Sequence, residues 1–344
     1  IITVTKTRQP STDQDTLDEL TALCMRDDVH PLLAKSFNTR PRVPADKHLV
    51  LANAAGHVLG SIAAYQTAST EARYLDEYHR KQVRRRLHPS YNPWATRTTR
   101  DSSSNPNGQN VGKPPDSNLR DAFGPDSRHE WWCVDWDQLE VRLMAAASQD
   151  PTLLRVLAEG LDMHQITADV FGVPRKLGKA INFAWQYGAS DAKLGRMAGV
   201  SAADFTDGMR SRYPGVVDFM SDTIARVKRD GMVRTLSGYP LRVERHKGYK
   251  GVNYIIQGSA GDMLKDARLA IHELILEESL PIRMIAAIHD ELIFEARRGV
   301  SREWLPVLRD MMVAAGAALG VVTPADAKLV RTSWAEPAEL RITA

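Results

Sequence analysis

The sequence predicts an α+β fold, and three observations carry that prediction. Two short apolar runs, Trp131-Trp132-Cys133-Val134 and Met284-Ile285-Ala286-Ala287-Ile288, have the length and content of buried strands. Each ends in an aspartate, Asp135 directly and Asp290 after His289. Between them, from Pro151 to about residue 250, helical signals run almost unbroken. With 344 residues and 43% hydrophobic content, the chain can bury a sizeable core and divide into two or three subdomains.

Taken in order, residues 1–95 read as helical pieces broken by Pro41, Pro44, Pro89 and Pro93. The Ser, Asn, Pro and Gly content from Asp101 to Asn118 predicts a loop. The strand at Trp131 leads into a helix with Leu139, Leu143 and Met144 on one face. Helices follow at Leu153 to Glu159, His164 to Phe171, Arg175 to Gly188 and Val216 to Arg229. A helix from about Lys250 to Glu278, a strand pair around His289-Asp290 and a last helix from about Arg302 to Leu319 complete the chain. There is no internal repeat.

The formal charge is only +3, so affinity for nucleic acid would have to come from local clustering. Arg80, Lys81, Arg84, Arg85, Arg86, Arg97 and Arg100 supply such a cluster, readable as a solvated helix face or as a phosphate-binding one. Cys24 and Cys133 are the only cysteines, which excludes a disulfide framework or a zinc site and implies a reducing interior. The longest apolar stretch, Met311 to Val322, is too short to span a bilayer and is not arranged as a signal peptide. A soluble protein is expected.

Two strand-borne aspartates far apart in sequence can converge on one sheet and hold divalent cations, which take hard oxygen ligands and share them with substrate phosphates. The segment Arg175 to Gly188 lies between them. Pro174 marks its start and Gly188 its end. Arg175, Lys179, Phe183 and Tyr187 recur every four residues, so one face offers two cations and then two rings. Cations suit a triphosphate, and flat apolar surface suits a base and sugar. By itself this is also the pattern of an ordinary amphipathic helix.

Together these segments resemble motifs A, B and C of family A DNA polymerases, the bacterial DNA polymerase I type. Thr96 to Asn110 is similar to the family's T-x-T-G-R-L-S-S-S-x-P-N-L-Q-N stretch, and Asn253 to Asp262 to its N-x-x-x-Q-G-[ST]-A-A-D helix. Thr5 to Thr12 resembles the stretch that follows the thumb tip. Ordered motifs over nearly the whole chain are a specific signal. The resemblance implies a right-hand polymerase fold: an antiparallel-sheet palm, mostly helical fingers and a reduced helical thumb. It places a partial thumb at 1–95, palm at 96–150, fingers at 151–250 and palm again at 251–344.

It further implies a template-directed DNA-dependent DNA polymerase, acting in replication or repair. Such an enzyme adds deoxynucleotides to a primer 3′-hydroxyl by two-metal transfer and releases pyrophosphate. Asp135, Asp290 and the backbone carbonyl of Trp136 would hold two Mg²⁺ ions, with Mn²⁺ able to substitute. Arg175, Lys179 and His164 would contact the triphosphate, Lys179 as general acid for pyrophosphate. Glu140, held by Tyr187, would exclude a ribose 2′-hydroxyl, and Phe183 stands where phenylalanine is associated with rejecting dideoxynucleotides. Gln138 would join the nucleotide site. Arg100, Asn253, Gln257 and His289 match readers of the minor-groove edge, and Asn107 and Gln109 match further DNA contacts. Primer-template DNA and deoxynucleoside triphosphates are the implied partners of a monomer in the cytoplasm of a bacterial or phage-infected cell.

Several positions depart from the family pattern. Trp136 and Asp137 replace a tyrosine and a serine, and Asp137 adds a carboxylate that is expected to face the opposite side of the strand. Gly172-Val173-Pro174 shortens the approach to motif B, Ala184 replaces a glycine, and Tyr239-Pro240-Leu241 stands where the family has arginines. The thumb tip is absent, so low processivity is expected unless a partner or further domain supplies grip. The chain opens at Ile1 and the resemblance begins partway into the thumb, which predicts a part of something longer. No paired exonuclease carboxylates precede Arg100, so neither proofreading nor 5′ nuclease activity is expected of this stretch. A translesion, end-joining or RNA-template-tolerant relative would share these motifs. A catalytically silent primer-template binder would have no use for Asp135, Lys179 and Asp290 together.

Overall fold

The computed structural model describes residue 65, residues 67–113 and 117–335, and the backbone of 340–342. The expectations for residues 1–64, including the Thr5 to Thr12 stretch and Cys24, lie outside these. The chain forms two compact units, 1–87 with 112–119, and 88–111 with 120–344.

In the first unit a helix at 67–81, α1, carries the i,i+4 ion pairs Asp76–Arg80 and Glu77–Lys81, each 2.8 Å. Tyr78 is buried, and burial pushes its phenol up to about 12. The helix stops at 81, so Arg84 and Arg85 do not continue its face, one of the two readings the sequence left open. Arg84 and Arg85, left-handed at φ 52° and 62°, form the tip of a tight turn closed by Val83 and Arg86.

The second unit is built on a five-stranded antiparallel sheet whose strands lie in the order 282–288, 291–297, 129–136, 325–330 and 340–342. Short hairpins lie outside it. β1 (Ser90–Asn92) pairs with β2 (Ser102–Ser104), so part of the expected 101–118 loop is strand. β3 (His129–Trp136) is the central strand. Its alternation puts Trp132, Val134 and Trp136 on one buried face, while Trp131, Cys133 and Asp135 point the other way. Trp136 takes its bulk into the core, and its indole N–H donates to the carbonyl of Met312 at 3.0 Å.

After β3 the chain enters α2 (Leu139–Ser148), which buries Leu139, Leu143 and Met144 as the pattern required. A series of helices follows: α3 (Pro151–Ala158), α4 (Met163–Phe171), α5 (Arg175–Gln186), α6 (Asp191–Ala198), α7 (Ala202–Arg212) and α8 (Pro214–Asp230). Asp150 caps two of them. One of its oxygens accepts from Leu153 N–H at 2.8 Å in α3, and the other from Gly215 and Val216 N–H at 2.8 and 3.3 Å in α8. Asp162, Ser190 and Ser201 cap α4, α6 and α7.

The helical block is interrupted where the sequence predicted almost continuous helix. β4 (Met232–Arg234) and β5 (Pro240–Arg242) form a hairpin, because Gly238 at φ 89° turns the Thr235 to Tyr239 segment back on itself. The 28-residue α9 (Lys250–Glu277) then runs under the sheet, and β6 (Ile282–Ile288) and β7 (Glu291–Arg297) form a hairpin with a two-residue turn. α10 (Trp304–Ala317) packs Leu305, Leu308 and Met312 into the same core as Phe294 and Met263. β8 (Ala325–Val330) and β9 (Leu340–Ile342) finish the sheet. β8 escaped sequence reading because its inward residues include two alanines, which give weak hydrophobic alternation.

Candidate active site

Strand register creates the carboxylate site. Asp135, the penultimate residue of β3, stands opposite Glu291 on β7 and opposite Asp326 on β8. Asp290 lies in the β6–β7 turn, not in a strand, with His289 before it in a left-handed conformation (φ 58°). The Trp136 amide donates to the Asp290 carbonyl at 3.5 Å, so the two aspartates belong to one end of one sheet. Glu291 is already committed: it is buried and paired with Arg120 at 3.4 Å, whose guanidinium lies 3.6 Å from the Trp334 ring centre. Asp326 is a further carboxylate at this end that the sequence did not single out.

The extra carboxylate Asp137 is drawn into an ion pair with Arg142 at 3.1 Å, which also donates to the Asp137 carbonyl. Gln138, left-handed at φ 51°, precedes α2 and donates to Asp137 at 3.3 Å. The oxygen donors of Asp135, Asp290 and the Trp136 carbonyl are of the hard kind that Mg²⁺ takes. Among the described residues no group of three or more His, Cys, Asp or Glu is arranged to hold a metal. Mg²⁺ takes one or two carboxylates and completes its shell with water and substrate oxygens, so an ion held here would not need a full set of protein ligands.

Helix α5 keeps Arg175, Lys179, Phe183 and Tyr187 all exposed, while Ile181, Asn182 and Trp185 are buried. Its approach to α4 depends on Gly178, where a Cβ would stand 2.4 Å from the His164 carbonyl. Two polar links fix the pair. Arg175 is bonded to Asp162, the cap of α4, and Asn182 reaches His164. The Thr167 hydroxyl donates to Asn182 Oδ1 at 2.8 Å, which turns the amide nitrogen toward the Met163 carbonyl and His164 Nδ1, at 3.3 and 3.1 Å. Nδ1 is then an acceptor, and the ring carries its proton on Nε2. Burial lowers the His164 pKa, Lys179 and Arg175 lower it further, and Asp162 opposes them. The His164 and Phe183 rings lie 5.9 Å apart, and Lys179 sits 5.8 Å from the Phe183 ring centre.

The expected partners Glu140 and Tyr187 meet: the Tyr187 hydroxyl donates to one Glu140 oxygen at 2.9 Å. The other oxygen is taken by Arg100 at 2.7 Å, a link that sequence reasoning missed. Burial raises the Tyr187 pKa, and Glu140 adds to the effect. Gln257 also hydrogen-bonds Tyr187, and it lies one turn from Asn253 on α9; both are half-buried between fully buried neighbours. Arg100 arrives here because the 98–100 segment crosses α9 at its glycines. A Cβ on Gly261 would come within 3.3 Å of the Thr99 carbonyl. Thr99 occupies the position of a glycine in the motif, is left-handed at φ 58°, and its buried hydroxyl has no partner.

His289 is exposed at its turn. Gln109 donates to the Ala287 carbonyl at 3.2 Å, and Asn107 accepts from the Gln109 amide at 2.9 Å, so both shape the loop beside β6. Asp162 carried a sequence signal as a helix cap before His164. Asn182, in an apolar stretch, carried none.

A family model, DNA polymerase family A, matches residues 2–336. The chain belongs to this family. It is similar to DNA polymerase I of Pseudomonas aeruginosa, 34% identical over 73% of this chain and 30% of that protein. It is also similar to DNA polymerase I of Geobacillus stearothermophilus, 32% identical over 61% of this chain and 27% of that protein. The matched stretch thus spans about a third or less of these relatives. Among solved structures, the POL domain of Pol1 from M. smegmatis in complex with DNA primer-template and dNTP matches with a TM-score of 0.70. That match has 25% identity and covers 97% of this chain and 58% of that one. The family A fold accounts for the antiparallel sheet followed and preceded by helices. Among the described residues no helix is long and apolar enough to cross a membrane.

Proposed function

We propose that this chain is a template-directed DNA polymerase, joining a deoxynucleotide to a primer 3′-hydroxyl and releasing pyrophosphate. The observation that carries the reading is the sheet end bearing Asp135 and Asp290 in a chain that also presents Arg175, Lys179, Phe183 and Tyr187 on one helix face. Two Mg²⁺ ions, or Mn²⁺ in their place, held by Asp135, Asp290 and the Trp136 carbonyl would acidify the attacking hydroxyl and offset charge on the triphosphate.

The remaining roles belong to the chain itself. Arg175 and Lys179 bind triphosphate oxygens, and Lys179 serves as the general acid toward the departing pyrophosphate. His164, neutral with a proton on Nε2, donates a hydrogen bond to a phosphate oxygen without adding charge. Phe183 offers its exposed face to the base and sugar. Glu140, fixed by Tyr187 and Arg100, occupies space that a 2′-hydroxyl would need, and Gln138 borders the same pocket. Arg100, Asn253, Gln257 and His289, with Asn107 and Gln109, contact the primer-template. A monomer in the cytoplasm, with palm at 96–150 and 251–344, fingers at 151–250 and a partial thumb before them, fits this reading. A further domain or a processivity partner belongs to the same reading.

The test is extension of a labelled primer on a DNA template with Mg²⁺ and four deoxynucleotides, beside Asp290→Asn and with ribonucleotides substituted. Extension that disappears in the variant and is weak with ribonucleotides supports the reading. Primer binding without extension by the unmutated chain would overturn it in favour of a silent binder.

A further inference from the structure

Two large aromatic side chains stand open to solvent outside the site just described. Trp94 is 61% exposed and Tyr239 44%, and their ring centres are 6.2 Å apart with planes tilted by 35°. Neither contributes to a core, and an exposed indole beside an exposed phenol gains the fold nothing. Both are nevertheless held in place. The amide of Trp94 donates to the Asn92 side chain at 3.0 Å. Tyr239 sits at the tip of the β4–β5 hairpin, where its amide donates to the Thr235 hydroxyl at 3.0 Å. The hairpin is anchored on α9 by the Leu236 amide, which donates to the Ser259 hydroxyl at 2.9 Å.

The rings line a recess of about 350 Å³ with Thr96, Arg97, Thr99 and Arg242. Cations surround it. Lys265 Nζ lies 4.4 Å from the Trp94 ring centre while donating to the Thr99 carbonyl. Arg242 is exposed and makes no ion pair among the described residues. Arg97, two-thirds exposed, is tied to Glu244 at 2.7 Å. Flat apolar faces interleaved with positive charge suit a ligand that alternates planar bases with phosphates and whose bases are not already stacked in a duplex.

We propose that Trp94 and Tyr239 form a stacking platform for unpaired nucleotides of a single DNA strand, with Lys265 and Arg242 holding the flanking phosphates. The platform is separate from the nucleotide-addition reading and does not require it, because its readout is binding without metal. Free mononucleotides are disfavoured as occupants, since the cations are spread around the recess and not focused on one triphosphate.

The probe is fluorescein-labelled oligothymidylate, with a blunt duplex of equal length and thymidine monophosphate as controls, in buffer containing EDTA. Trp94→Ala and Tyr239→Ala should each weaken oligothymidylate binding on the order of ten-fold while changing duplex affinity by less than about two-fold. Trp94→Phe should restore most of the loss. Unchanged oligothymidylate affinity, an equal loss on the duplex, or displacement by the monophosphate at oligonucleotide-like concentrations would each overturn the proposal. Should the alanine variants unfold, photocrosslinking of an iodouracil-substituted strand to the unmutated protein decides the matter. A crosslink at Trp94 or Tyr239 supports the platform, and crosslinks confined to other residues refute it. Failure here leaves the primer-extension result untouched, so the two readings fail separately.

Discussion

The sheet end and the α5 face are built by different physics. At the sheet end, backbone register does the work: Asp135 and Asp290 are placed by ladders that tie β3 to β7 and β8 and by a two-residue turn. Moving either aspartate means breaking paired strands in a covered sheet. On α5 and at its end the candidate groups are long exposed side chains, held with their neighbours by a few links: Gly178, Asp162–Arg175, Asn182–His164 and Tyr187–Glu140. The difference teaches that the carboxylate-bearing sheet end is positioned by backbone, while α5, the helix proposed to face the nucleotide, is positioned by a few polar links that substitutions can loosen.

The largest effect should come from the sheet end. Asp290→Asn keeps the turn and its size, so the unfolding midpoint should hardly change while primer extension falls by about 10³-fold, the equivalent of several kcal/mol of charge stabilisation. A matching fall in stability would mean that the carboxylate is structural. Next comes the scaffold of the helical block. Asp150→Ala removes the cap shared by α3 and α8 and leaves buried amides unpaired, so denaturant unfolding should report a loss of about 2–4 kcal/mol. A loss under about 0.5 kcal/mol would show that water replaces the cap.

A smaller effect is expected where the two regions meet. Tyr187→Phe removes one hydrogen bond from Glu140 but leaves Arg100 in place at 2.7 Å, so ribonucleotide incorporation should rise by up to about ten-fold, not abolish selectivity. Full loss of discrimination in steady-state incorporation would mean that Arg100 cannot hold the glutamate alone.

The pH dependence isolates α4 and α5. His164 has its folded pKa lowered from 6.5, so the folded protein takes up its proton less readily than the unfolded chain. Its contribution is whole above about pH 6.5 and is lost as pH falls from there toward the folded pKa. Thermal unfolding measured across that interval should show a shallower fall for His164→Gln than for the unmutated chain, and parallel curves would remove His164 from the account. The smallest effect concerns Thr99, whose left-handed backbone costs about 1–2 kcal/mol. Thr99→Gly should relieve that strain against roughly 0.5–1 kcal/mol of added chain entropy, a net gain within about 1 kcal/mol that calorimetry can read.

Much of the site was legible in sequence because it rests on local periodicity. A four-residue repeat on α5 and an apolar run ending in an aspartate at β3 depend on 3.6-residue and two-residue geometry, which short segments carry themselves. The Glu140–Tyr187 pair was legible only through the family resemblance, since nothing local brings those residues together. The β4–β5 hairpin was missed because its strands are three residues each and sit between strong helices. Charge alone left Arg84 and Arg85 open to a solvated helix face or a phosphate-binding one, and it could not show that the chain turns there.

By itself the sequence determined where strands and helices fall around Asp135, Asp290 and α5, which residue types each presents, and the family to which they point. Only the tertiary structure decided that Arg100 shares Glu140 with Tyr187, that Asp137 is drawn off by Arg142, that Asp150 serves two helices, and that Trp94 and Tyr239 meet. Each of these joins residues far apart in the chain, and such contacts are set by how elements pack and by the demand that buried polar groups find partners. No local pattern encodes them.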